Sequence, residues 1–424
     1  MGAGPHGGAR ARLRSRLLAH LPPLVGSALL LVGGMDWVVS WNRLTGGDSS
    51  VWRTPPDLWA TYYASLQVVH GHVEGIYSAT TGLVTFPGIV YLLTPVAALG
   101  SALHLELGPD IGPYFAPSGW LALGPFVMAV SSIVLFATDA VAARLGATSP
   151  RRMALSLVET VLVADVSVWW GHPEDAISVA LVLFAVLAAG DERWVRAAFW
   201  LGAAIALQPL ALLAVPAVMA RVPRAYIAQV LAGLVLPSAA VLAPSLVTEW
   251  HGTVTTLFDQ VNYPLFNHRT PWTGLARPVG SAGGVEAGPL RAVVVVVAGF
   301  AGAVVCRRRA GLEVVLWMVA LAMTLRVLAE PVLDGYYTWP AITIVVLLAA
   351  VRSRGVALAA CALSIFLTWL GSAHWSGVWP WWGAVSASLV VCLLLTAPVG
   401  DLRSAGRRTP ERPPSTLLPP GRRQ

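Results

Sequence analysis

The sequence predicts an all-α fold, a polytopic transmembrane helical bundle of about 10–12 membrane segments, including re-entrant or broken helices, with two long outer loops. Three observations predict it. Hydrophobic residues make up 56% of the 424 residues and charged residues only 12%, roughly half the charge of a typical soluble domain. The apolar residues are gathered into long runs. The basic residues are all arginine, 28 in number, and most fall in short groups between those runs, as the positive-inside rule requires.

The same figures exclude a disordered chain. A net charge of +7 and a pI near 9.8 do not point to nucleic acid, because the arginines are spread along the chain instead of forming one basic patch. Cys306, Cys361 and Cys392 lack CxxC spacing and lie in or beside apolar runs, so neither a zinc site nor a disulfide framework is expected.

In chain order, the candidate spans are residues 17–40, 119–141, 153–170, 175–190, 225–247, 288–305, 311–330, 337–351, 355–372 and 381–398. The first follows Arg10, Arg12, Arg14 and Arg16 and reads as an uncleaved first helix, since no convincing small-residue cleavage site follows. Further arginine groups are Arg144/151/152, Arg193/196, Arg221/224, Arg307/308/309, Arg352/354 and a carboxy-terminal set from Arg403 to Arg423. Placing them inside puts both termini in the cytoplasm and the chain in the plasma membrane as a multi-pass protein. Asp139, near the inner end of its span, then reads as a solvated acid.

Two further apolar runs are interrupted by proline. Residues 196–220 have arginines at both ends, so one crossing would invert every later group. The run reads instead as a re-entrant pair of half-helices broken at Gln208-Pro209, with an ordinary proline-kinked helix as the alternative. Residues 86–104, interrupted by Pro87 and Pro95, read the same way. Broken backbone in a membrane needs protein or a wet cavity to satisfy its freed amides, so these breaks point to a cavity. Residues 1–398 form the membrane domain. The Arg/Pro-rich tail, 399–424, reads as disordered and cytoplasmic, suited to anionic lipid.

The outer side is acidic and rich in tryptophan, which reads either as an interfacial aromatic belt or, being one-sided, as a groove for a lipid or a stacking surface for a sugar ring. Its long loops, 41–85 and 248–287, exceed simple connectors. The first reads Pro56-Asp57-Leu58-Trp59-Ala60-Thr61-Tyr62-Tyr63, then Gly71-His72-Val73-Glu74-Gly75-Ile76-Tyr77, then Thr85-Phe86-Pro87-Gly88. Later come Gly171-His172-Pro173-Glu174-Asp175, Ala206-Leu207-Gln208-Pro209 and Asp334-Gly335-Tyr336-Tyr337-Thr338-Trp339-Pro340. Together these motifs, within about residues 20–350, resemble the GT-C superfamily of membrane glycosyltransferases, and most of all the actinobacterial polyprenyl-phosphate-mannose-dependent α-(1→2)-mannosyltransferase branch. The lysine of that family's Lys-x-x-Pro or Lys-Gln-Pro break is missing at Gln208-Pro209. The composition, rich in Ala, Gly, Val and Arg without lysine, fits a GC-rich coding sequence.

The resemblance implies a catalytic base in the first outer loop, which falls on Asp57 with Asp48 as the rival. It implies an inverting hexosyl transfer, mannose first, from a lipid-linked sugar donor to a lipid or glycan acceptor, with no cofactor beyond that donor. The residues support the chemistry independently. A carboxylate at the water–membrane edge can take the proton of an attacking hydroxyl, and arginines suit a departing phosphate. Trp59, Tyr62 and Tyr63 are placed to flank a sugar, with Tyr336 and Tyr337 in the late motif. His268, Arg269 and Arg326 are the phosphate candidates. Two plainer readings stand beside these. Asp57 sits where a helix N-cap would, and Arg326 is spaced i,i+4 from Glu330 for an ion pair.

His172, Glu174 and Asp175 form the densest acidic cluster, read as acceptor contacts or helix caps; two carboxylates and one imidazole are too few oxygens for a hard cation, so no metal is expected. Glu159 and Asp165 fall about 120° apart on one helix and are separate intramembrane acids. Two other function classes remain open on the sequence: a lipid or sugar transporter or flippase, and a non-catalytic envelope-assembly protein of the same fold.

Overall fold

The structure is a computed structural model that describes residues 20–44, 55–78, 81–105, 117–258, 261–264, 267–280, 283–286, 289–308, 311–372 and 377–398. Asp48, the amino-terminal arginines and the 399–424 tail lie outside the described residues. The chain is a helical bundle, as its composition requires. The helices are α1 (Leu21–Leu44), α2 (Pro56–Val69), α3 (Gly88–Ala102), α4 (Pro117–Ser131), α5 (Ile133–Arg144) and α6 (Ser149–Ala164). They continue with α7 (Pro173–Gly190), α8 (Trp194–Leu207), the single turn α9 (Val215–Val218), α10 (Ile227–Thr248), α11 (Trp250–Phe258) and α12 (Pro289–Arg308). The last four are α13 (Leu312–Leu328), α14 (Trp339–Ala350), α15 (Arg354–Ser372) and α16 (Val378–Thr396).

Among the described residues, six helical stretches are long and apolar enough to cross a membrane: Gly119–Arg144, Pro173–Gly190, Arg224–Thr248, Leu290–Arg308, Arg354–Gly371 and Val378–Thr396. Helix α1 and the shorter α6, α13 and α14 run beside them. Side-chain contacts define the two ends of the bundle. At one end Arg144 meets Asp191, Arg352 meets Glu313, and Arg151 donates to the Ala350 carbonyl. At the other, Asp57 meets His172, and His268 donates to the Gly371 carbonyl. The described arginine groups thus gather at one end and the described candidate site residues at the other.

Helices α7 and α14 are the centre. All of α14 is buried, and so is nearly every residue of α7. A helix apolar on every face is what such a position selects. Elsewhere small residues allow close approach, as in membrane packing generally. A Cβ on Gly202 of α8 would lie 2.2 Å from the Gly233 carbonyl of α10, so this crossing admits no side chain there.

The 196–220 run breaks where the sequence places the break. Helix α8 ends at Leu207, Gln208 is extended, and a 3-10 segment, Pro209–Ala214, leads into α9. Trp194, Met219 and Val222 pack in one cluster, so the run leaves by the end it entered. The 86–104 run differs from expectation. It is one helix, α3, continuous through Pro95. Proline removes a single N–H, and the adjacent Val90 carbonyl accepts from the hydroxyls of Ser65 and Thr94. Nor are the long loops featureless: the first holds α2, and the second holds α11, a hairpin of β2 (Pro278–Val279) with β3 (Gly284–Val285), and β1 (His268–Arg269) paired with β4 (Val332–Leu333).

Asp139 corrects a second expectation. It is buried, not solvated, and takes both guanidinium arms of Arg152 from the next helix. Removing one partner strands a buried charge, whereas replacing both with apolar groups does not. Arg152→Ala is expected to cost about 3–5 kcal/mol in detergent unfolding, with most of it recovered in the Arg152→Met/Asp139→Leu double variant.

Candidate active site

The site is built around a turn. Gly171 has φ +85°, in the left-handed region, and a Cβ there would fall 2.8 Å from both the Leu58 nitrogen and the Pro55 side chain. Glycine therefore serves twice: it reverses the chain between the π-helical turn Asp165–Trp169 and α7, and it lets the start of α2 dock on that turn. The docking brings Asp57 to His172, which is 115 residues away in sequence.

His172 lies between two carboxylates. Its Nε2 is 3.0 Å from Asp57 Oδ2 and its Nδ1 is 2.7 Å from Glu174 Oε1. Only the doubly protonated ring donates at both nitrogens. Burial disfavours that charge, but Glu174 and Asp57 outweigh it and hold the imidazole pKa well above its ordinary value. Tyr336 stacks on the ring at 3.9 Å, Tyr337 meets Tyr336 edge-on at 4.8 Å, and Trp170 flanks Tyr336 at 5.6 Å. The two carboxylates differ in exposure. The Glu174 side chain is 3% exposed and that of Asp57 is 48% exposed. One Asp57 oxygen is held by the imidazolium while the side chain remains open to the outside.

The capping reading of these acids is corrected. The N-cap of α2 is Pro55 and that of α7 is His172, and neither end has a side-chain cap. The acids occupy first turns, where the helix dipole favours them, but their hydrogen bonds go elsewhere. Gln208 Nε2, at the apex of the broken pair, donates to Asp175 Oδ1 at 2.8 Å. Asn267 donates to Asp334 at 3.0 Å. Burial, with the Asp57 charge nearby, pushes the Asp334 carboxyl up to about 7.

Arg326 meets its plainer reading. It pairs with Glu330, just past the end of α13, and its guanidinium stands 4.4 Å above the Tyr337 ring. Arg291 reaches the same Glu330 at 3.3 Å. Sequence reasoning assigned Arg291 no role; its place at the edge of an apolar run was the available signal. Two guanidiniums thus share the Glu330 carboxylate, with Arg326 beside the aromatic cluster.

No family model matches the chain. No curated protein sequence matches it either.

The remaining predicted residues separate. Trp59 and Tyr63 pack together at 4.9 Å on α2. Tyr62 is 3% exposed within the core, against Gly100, so it is a packing residue and not a sugar platform. His268 stacks on Trp381 at 3.9 Å and its Nε2 meets the Gly371 carbonyl, which ties the second loop to the bundle. Arg269 is exposed on β1, with no ion pair among the described residues. Among those residues no group of three or more His, Cys, Asp or Glu is arranged to hold a metal ion.

Close to the cluster an apolar groove of about 550 Å³ opens sideways between α1, α6 and α15. Gly33 lies in its wall, and a Cβ there would meet nothing within 4 Å. Asp165 and Trp169 line it too, one residue short of the Trp170 that flanks Tyr336. Glu159 is buried elsewhere, accepting from Thr343 at 3.1 Å, so the two acids of α6 and its π-helical extension are separate, as their spacing requires.

The imidazolium clamp makes stability depend on pH with a definite sign. A raised histidine pKa gives stabilisation that is complete below about pH 6.5 and lost as pH rises through the folded value. The Asp334 loss is half complete at about pH 7, its folded value, and ends about one unit higher. The melting temperature is therefore expected to keep falling above about pH 8 in the wild type and to level off there in His172→Gln. Equal slopes contradict the clamp.

Proposed function

We propose that this chain is a membrane glycosyltransferase that moves a sugar, mannose first, from a polyprenyl-phosphate donor to a lipid or cell-envelope acceptor. The arginine-rich end faces the cytoplasm, with both termini, and the Asp57 end faces outside. The observation that carries the reading is the exposed Asp57 carboxylate held on a buried imidazolium, beside an aromatic cluster and a sideways apolar groove.

The chemistry follows from those parts. The acceptor hydroxyl oxygen attacks the anomeric carbon as the bond from that carbon to the phosphate oxygen breaks. Its proton passes to the open oxygen of Asp57, and the polyprenyl phosphate leaves with the bonding electrons. Attack opposite the leaving group inverts the anomeric centre. His172 orients Asp57, the positioning role of a group behind a base. Glu174 in turn fixes the imidazole. Arg326 and Arg291 supply the positive charge that a departing phosphate needs. The groove offers an apolar bed for the lipid chain, and Tyr336, Tyr337 and Trp170 suit the face of a sugar ring.

The direct test incubates membranes with radiolabelled polyprenyl-phosphate mannose, wild type against Asp57→Ala. Loss of transfer by about 10²–10⁴-fold is expected for removal of a general base. No transfer by the wild type with any of several donor sugars overturns the reading, and uptake of label without transfer favours a transporter. Gly33→Leu tests the groove. The side chain enters open space, so the melting temperature is expected to hold while the KM for the lipid-linked donor rises. An unchanged KM removes the groove from the donor site.

A further inference from the structure

The arginine-rich end contains a feature that the sugar-transfer reading does not use. The half-helices α8 and α9 return to this end, and a cavity of about 240 Å³ lies where they do so. Its floor is apolar, with Val186 and Leu187 of α7, Ala217 and Val218 of α9, and Cys306 of α12. Arg144, Arg221 and Glu192 also line it. A second cavity of about 280 Å³ shares Leu187 and lies on the other side of the turn between α7 and α8, lined by Arg193, Arg196 and Trp200.

The charges around this turn do not balance. Arg144, Arg193, Arg196 and Arg221 face only Asp191 and Glu192. Asp191 pairs with Arg144 at 2.8 Å. Arg193, Arg196 and Arg221 are exposed and have no ion pair among the described residues. The surrounding surface is apolar, with Val195 and Phe199 of α8 and Leu231 of α10 all exposed. A soluble anion needs the charge but not the apolar floor or its apolar surroundings. A lipid needs both.

We propose that this turn is a binding site for the headgroup of an anionic glycerophospholipid. The phosphate sits between Arg221 and Arg144, and the glycerol region covers Val218 and Ala217. Basic pockets between membrane helices suit such headgroups, where each arginine adds to the attraction of the anionic surface. Seated there, the lipid braces the returning half-helices, whose apex carries Gln208 to Asp175. An occupant at one end thereby steadies a hydrogen bond of the cluster at the other.

The test uses the full chain, purified in detergent and stripped of lipid. Melting temperature and retained lipid, by native mass spectrometry, are followed on adding phosphatidylglycerol or phosphatidylcholine. Phosphatidylglycerol is expected to raise the melting temperature and stay bound, and phosphatidylcholine to do neither. Arg221→Gln is expected to weaken retention roughly fivefold, the order expected for one arginine near an anionic headgroup. Arg354→Gln, an exposed arginine at the same end, is the control and retains lipid like the wild type. Equal loss in the two variants reduces the effect to general surface charge and overturns the site. An equal shift with inorganic phosphate or glycerol 3-phosphate overturns the lipid in favour of a soluble anion. Unliganded melting temperatures of both variants are expected to match the wild type, which separates lost binding from lost folding.

Discussion

One interaction organises the end of this bundle opposite its arginines: the charged imidazole of His172 held between Asp57 and Glu174. Two carboxylates near each other at a membrane edge repel, and a cation between them removes the conflict. The consequences extend outward. The Asp57 contact anchors the start of α2, and with it the first loop. The Glu174 contact fixes the ring at the start of α7, the most buried long helix. Stacking on Tyr336 ties in the segment before α14. Three stretches of chain, far apart in sequence, meet on one ring, and a glycine at position 171 is what lets them do so.

Around that ring the polar groups form a graded series. Asp57 is open, Asp334 is nearly buried, and Glu174 and Asp175 are buried. A graded set of this kind suits acid–base work, in which one carboxylate exchanges protons with a substrate while the others fix its partners. The positive charge lies to one side, on Arg326 and Arg291 with Glu330 between them. The apolar groove between α1, α6 and α15 lies near the same cluster. A reaction between a lipid-linked substrate and a polar acceptor needs both surroundings at one point, and few positions on a bundle supply them.

Much of the fold was legible in the sequence because topology rests on one-dimensional signals. Apolar runs and arginine groups give the order of crossings, and the arginines at both ends of 196–220 give the return of that run. Extended backbone at Gln208 followed by Pro209 is a local effect and was legible for the same reason. Pairings were not. Asp57, His172 and Glu174 were each singled out, yet Asp57 and Glu174 read as well as helix caps, since nothing local tells a first-turn acid that caps from one that reaches another helix. Arg291 was passed over because its partner Glu330 lies 39 residues away. Asp139 was misjudged because nearness to a helix end says nothing about the arginine that α6 brings over it. Tyr62 and Tyr63 are neighbours of one chemical type, and only the packing of α2 on α3 buries the first.

The central claim is that the ring of His172 and its neighbours mark where the lipid-linked sugar sits. The most direct measurement is photolabelling with a polyprenyl phosphate whose diazirine is on the isoprene unit next to the phosphate, followed by peptide mapping. The account predicts labelled peptides from Gly33–Gly34, Asp165–Trp170 and Tyr336–Tyr337, and loss of that labelling when excess unlabelled polyprenyl phosphate competes. Competed labelling confined to the arginine-rich end, around Trp194 and Arg221, would contradict it.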